Sequence, residues 1–168
     1  ITRPGQAYLN LGTAVVTGTC SDGYVIDPAF RTMFGAVPGT YSLETVLLGG
    51  TYTVSWFAET FAGAEGETEL PDEVATRYDD VIAEIPPGAE GLVLIPYWNS
   101  AMNRYWDAEA SGIVVGWRGV HTRAHLYRAI LEGIAYEVRL HLEGVEAALG
   151  RPVRSLVAMG GGTRSRHW

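Results

Sequence analysis

The chain has 168 residues, 47% of them hydrophobic and 18% charged, a globular balance with room for one core rather than a disordered one. Twelve cations against nineteen acids give a net charge of −7, which excludes the broad basic face that nucleic acid needs. All the cations are arginine, so mechanisms that depend on a P-loop, Schiff-base or protein-kinase lysine are excluded too.

A single cysteine, Cys20, allows no internal disulfide, and no apolar run nears the ~18 residues of a membrane span. These features predict a cytoplasmic protein with no membrane partner. The opening Ile-Thr-Arg-Pro-Gly has neither a start methionine nor signal-peptide character, which predicts a piece of something longer.

Residues 7–20 favour strand, with Leu9, Leu11 and Thr13 on one parity. Ser21-Asp22-Gly23 reads as a turn from which 24–26 returns as a second strand. Pro28 ends that strand, 35–39 is loop, and 41–48 is a third strand broken by Gly49-Gly50. The period then changes. Val54, Phe57, Ala58 and Phe61 predict a helix over 51–62, and 63–71 is loop. Asp72 opens a second helix to about Glu84, with Val74, Tyr78, Val81, Ile82 and Ile85 as its apolar stripe and Pro86-Pro87-Gly88 as its stop. Residues 91–97 read as a strand buried on both faces, 98–111 as loop, and 112–117 as a short strand. Thr122 caps a long helix whose stripe runs through Leu126, Ile130, Ile134, Val138, Leu142, Val145 and Leu149 to the stop at Gly150 and Pro152. Residues 155–159 form a last buried strand before the turn Gly160-Gly161-Gly162. Strands interleaved with helices predict an α/β fold with a mixed sheet flanked by helices.

Few side-chain groups point to chemistry on their own. Consecutive glycines after a strand let a ligand approach bare backbone N–H groups, or simply make a tight turn. The dinucleotide fingerprint fails because Ser165 stands at its third glycine. His121 and His125 are spaced i, i+4, but Thr122 replaces the glutamate of a zinc pair, so a polar packing role is expected and no metal. Asp107 and Glu109 form either an acid/base pair or a loop in which Asp bonds its own backbone. Asp79-Asp80 and the acidic run 65–69 read as solvated surface. Tyr97, Trp98, Trp106 and Trp117 either stack on a flat ligand or pack in the core.

The succession of motifs resembles the FGGY family of carbohydrate kinases over nearly the whole chain. Pro4-Gly5-Gln6-Ala7-Tyr8-Leu9-Asn10-Leu11-Gly12-Thr13 is similar to that family's phosphate motif. Gly49-Gly50 with Trp56-Phe57 resembles the helix after it, and Pro96-Tyr97 leads to the Trp106-Asp107 pair. The run from His121-Thr122-Arg123-Ala124-His125-Leu126 to Glu132-Gly133-Ile134-Ala135-Tyr136 resembles the second signature. Gly160-Gly161-Gly162-Thr163-Arg164-Ser165-Arg166-His167-Trp168 resembles the adenosine motif.

The resemblance implies a ribonuclease H-like domain of the actin/hexokinase type. Residues 1–168 would be most of a C-terminal nucleotide-binding domain, truncated at both ends and lacking the sugar-binding domain. It implies ATP with Mg²⁺ as cofactors, a sugar such as the pentulose xylulose as acceptor, and ATP/ADP as ligands. Gly12 and Thr13 are expected at the β/γ-phosphates, and Gly161, Gly162 and Thr163 at the adenosine and α-phosphate, with Ser165 nearby. Gly50 and Ser55 are expected along the same site. The general-base Asp is expected upstream of Ile1, so no catalytic residue is assigned and the fragment alone is expected to be inactive. A homodimer is left open. Ala14 stands where Ser is usual, and Ser100-Ala101-Met102 replaces a usual Gly-Glu-Arg. These departures motivate a second reading, a lapsed nucleotide-binding or regulatory module of the same fold. A third is a structural α/β domain using its glycines for turns.

Overall fold

The computed structural model describes residues 1, 3–62 and 71–168, with the backbone alone at 62 and 71–75. Its main sheet has five strands: β1 (Gln6–Leu11), β2 (Val15–Ser21), β3 (Arg31–Phe34), β4 (Tyr41–Leu47) and β7 (Ser155–Met159), in the order β3-β4-β2-β1-β7. The first four pair antiparallel, and β7 joins β1 in parallel, with Ala7 opposite Leu156. A separate two-stranded ribbon pairs β5 (Val93–Ile95) with β6 (Ile113–Val115). The helices are α1 (Thr51–Phe57), continued by a π-turn over Ala58–Ala62, then α2 (Pro71–Ile82) and α3 (Arg123–Leu149). The predicted α/β fold with a mixed sheet flanked by helices is what forms.

Register sorts the sheet's faces. Leu11, Val15 and Leu47 are cross-strand neighbours on the helix side, where they join Phe57, Ile82, Leu126, Ile130 and Ile134 in one core. Leu43 on the same face meets Phe30 and Val145 in a smaller cluster. On the outer face the Tyr8 hydroxyl donates to Glu44 at 2.7 Å, and Arg31 Nε donates to the same carboxylate at 2.8 Å. This satisfies a nearly buried charge with two donors.

The long helix lies where its caps place it. The Thr122 N–H donates to His125 Nδ1 at 3.1 Å in a capping box with histidine in the glutamate's usual role, and Gly150 ends the helix with φ 63°. The first two helices also form, within a residue or two of their expected starts.

Four expectations fail. The first hairpin turns at 12–14, not at 21–23. Residues 24–26 form no strand, because β2 is paired along one edge by β1 and along the other by β4, leaving no free edge. Tyr24 and Ile26 are accordingly exposed, and the strand that does form is β3. Residues 91–97 contribute only three strand residues, with Leu94 buried against α3 and Val93 47% exposed. All five residues of β7 are exposed rather than buried. On α2, Val81 faces solvent while Tyr78 and Ile82 carry the packing. The expected loop over 63–70, with its acidic run, lies outside the described residues, as does the Val74 side chain.

Candidate functional site

The parallel neighbours β1 and β7 deliver two glycine turns side by side. β1 ends at Leu11 and runs into Gly12-Thr13-Ala14; β7 ends at Met159 and runs into Gly160-Gly161-Gly162. In α/β sheets the crevice beyond the carboxyl ends of such strands is where ligands bind.

Close backbone approach joins the two turns to each other and to α1. Thr51 N–H donates to Gly12 O at 2.9 Å, and Tyr52 N–H donates to Thr13 O at 3.2 Å. Gly50 fits beneath this contact because it has no side chain; a Cβ there would lie 2.6 Å from Val15 N and 2.9 Å from Gly12 O. Gly160 has φ 93°, and an added Cβ would lie 2.6 Å from Leu11 O. A short 3₁₀ turn, Gly161–Arg164, follows, closed by Thr163 N–H and Thr163 Oγ1 on Gly160 O at 3.2 and 2.8 Å.

Beside these turns opens a cavity of about 460 Å³, within the range of small-molecule sites. One wall is α1, with Thr51 and Ser55; another is α2, with Asp79 and Asp80; Tyr127 of α3 and the segment 161–168 complete it. Of the residues singled out in the sequence, Ser55, Gly161, Gly162 and Ser165 line the cavity. Gly12, Thr13 and Gly50 do not line it. They adjoin it through Thr51, which does. Thr163 is exposed, with its hydroxyl folded back on its own turn.

Asp79 corrects the reading of Asp79-Asp80 as solvated surface. It is half-buried and accepts from Ser165 Oγ at 2.9 Å and Arg166 N–H at 3.2 Å. Nothing in the sequence marks it, because an acid beside an apolar helical stripe looks the same whether it meets water or a distant loop. Tyr127 sits in the middle of the signature run and is fully buried. Burial first, and then the negative charge of Asp79, push its hydroxyl well above the usual tyrosine range.

The remaining groups resolve into packing and turns. His121 Nδ1 accepts from Arg118 N–H and His125 Nδ1 from Thr122 N–H, so both rings tie down the entry to α3. Among the described residues no three His, Cys, Asp or Glu side chains meet as metal ligands. Asp107 accepts from Glu109 N–H at 2.9 Å, the backbone-bonding alternative. Trp98 packs edge-on against Trp56 at 5.0 Å and Tyr97 donates to Glu137, while Trp106 and Trp117 stay about half exposed. No helix among the described residues is long and apolar enough to cross a membrane.

Comparison with known proteins points one way. Residues 7–168 match the family model for the C-terminal domain of the FGGY family of carbohydrate kinases. The chain is 32% identical over its whole length to a xylulose kinase of Bacillus subtilis, covering 32% of that protein. It is 32% identical to a glycerol kinase of Methylibium petroleiphilum over 82% of its length and 26% of that protein's. The crystal structure of xylulose kinase from Rhodospirillum rubrum superposes with a TM-score of 0.88 at 33% identity, over 100% of this chain and 32% of that one. The chain thus spans roughly a quarter to a third of the length of these relatives.

Proposed function

Because the chain belongs to the FGGY family of carbohydrate kinases, as C-terminal domain sequence with the ribonuclease H-like fold of the actin/hexokinase type, we propose that its cavity holds ATP. In this reading the whole protein transfers the γ-phosphoryl group to a sugar hydroxyl, with a pentulose such as xylulose as the acceptor. The observation that carries it is the meeting of two glycine turns at the ends of adjacent parallel strands, beside a cavity of about 460 Å³ that the second of them lines.

The residues suit the task. Phosphoryl transfer asks the protein for positioning and charge neutralisation more than for covalent chemistry. Gly161 and Gly162 offer backbone without side chains, bordering the adenosine and α-phosphate together with Thr163 and Ser165. Ser55 offers a hydroxyl from the facing helix. Asp79 and Asp80 stand in the α2 wall, and the β/γ-phosphates are assigned, by the family resemblance, to the Gly12-Thr13 turn, which adjoins the cavity through Thr51; Gly50 lies along the same site. Mg²⁺ bound with the nucleotide would supply neutralisation of phosphate charge.

The test is phosphorylation by the full-length protein. ATP, Mg²⁺ and a panel of ketoses, polyols and aldoses are expected to give ADP and a phosphorylated sugar, with xylulose among the acceptors. Failure with every acceptor overturns the kinase reading, and ADP binding without any transfer assigns the protein to the lapsed class. The 168-residue chain alone is expected to bind ADP without turnover, and measurable turnover by it contradicts the division of labour proposed here.

A further inference from the structure

We infer that Asp79 is a positioning residue for the cavity: its carboxylate holds the exit of the glycine turn against α2, keeping Gly161 and Gly162 open to the nucleotide. The inference rests on the nucleotide reading above and adds a residue outside every motif of the family resemblance.

The turn's own hydrogen bonds set its shape but not its place. Thr163 closes on Gly160 O, and Ser165 N–H donates to Gly162 O at 3.1 Å. The start of the turn is held by contact, since an added Cβ at Gly162 would lie 2.7 Å from Leu11 Cβ. Its end is held by Asp79. The two carboxylate oxygens take different donors: Oδ1 accepts from Ser165 Oγ, and Oδ2 from Arg166 N–H. One side chain thereby fixes a hydroxyl and a main-chain group of adjacent residues. Ser165 Oγ in turn accepts from His167 N–H at 3.2 Å, so the clamp reaches one residue further along.

The chemistry favours a carboxylate at this position. An asparagine has one acceptor oxygen: its NH₂ group would either oppose Arg166 N–H or have to donate to Ser165 Oγ, which already accepts from His167 N–H. Hydrogen bonds to an ionised acceptor are also stronger than neutral ones.

Calorimetric titration of the protein with ADP tests the inference. Asp79→Ala is expected to weaken binding about tenfold, and Asp79→Asn about threefold because one acceptor oxygen survives. The ligand-free thermal midpoint of Asp79→Asn is expected to stay within about 2 °C of wild type. Ser165→Ala is expected to cost less in the Asp79→Ala background than in the wild-type protein, since its partner is already gone. ADP affinity unchanged in both Asp79 variants overturns the inference, as does a loss of affinity that only tracks a lowered ligand-free midpoint. If the wild-type protein binds no ADP, the functional reading falls and this inference with it. Wild-type binding that the Asp79 variants leave intact removes this inference alone.

Discussion

Gly50 and Gly161 are both glycines beside the cavity, yet the absence of a side chain serves a different end in each. At Gly50 a methyl group would meet Val15 N at 2.6 Å and Ala14 C at 2.8 Å, both backbone atoms that no rotamer change can move. Gly50→Ala should therefore push the 12–14 turn off α1 and cost about 1–3 kcal/mol, read as a lowered urea midpoint. At Gly161 an added Cβ would meet only the Arg164 guanidinium, at 3.9 Å. Gly161→Ala should leave the urea midpoint unchanged and, on the nucleotide reading proposed above, weaken ADP binding, because its methyl group enters the cavity. Equal urea midpoints for the two variants would contradict this division between a packing glycine and a ligand-facing one.

At the scale of elements, β4 shows how a side chain can finish a sheet. The short β3 pairs with β4 only as far as Glu44, where Arg31 is its partner. Beyond that point Val46 N–H donates to the side chain of Asn103, which reaches in from the 98–111 loop and is 1% exposed. Asn103→Ala should leave that buried N–H unpaired and destabilise the protein by about 1–3 kcal/mol in thermal or urea unfolding. A variant as stable as wild type would mean that water or a shifted loop can replace the amide. Elements with local signals were legible in the sequence: α3 carries its own caps, and α1 and α2 carry a 3.6-residue period. β3 was not, since Arg-Thr-Met-Phe has no alternation and its place depends on the free edge of β4. The exposure of β7 was not legible either, because Leu-Val-Ala-Met looks the same whether or not another layer covers it. In the site, glycines could be read because turns and ligands both demand them. Asp79 could not, because its partners are 86 and 87 residues away.

Over the whole molecule, three tyrosines hold their protons more tightly than usual. Tyr8 is pushed up to about 12, first by burial and then by its hydrogen bond to the Glu44 carboxylate. Tyr97 is raised by burial and by Glu137, and Tyr127 by burial and Asp79. Above pH ~10 an unfolded tyrosine loses its proton while the folded chain keeps these. Stability is therefore intact below pH ~10 and falls as the pH rises towards 12. Unfolding midpoints measured across that window should drop steadily, and Tyr8→Phe should make the decline shallower; parallel slopes for variant and wild type would remove Tyr8 from the account.

The pairing of β1 with β7 also bears on how the chain reaches this state. Ala7 pairs with Leu156, so every element between them must be made before the two turns can face each other. Contacts of such long range slow folding, because the loop between them closes before it is rewarded. On the proposed function, a ligand gripped by both turns would have no grip on any intermediate in which β7 is still loose. Its binding energy would then be added wholly to the state in which β7 is docked, and nucleotide would act as a latch on that docking.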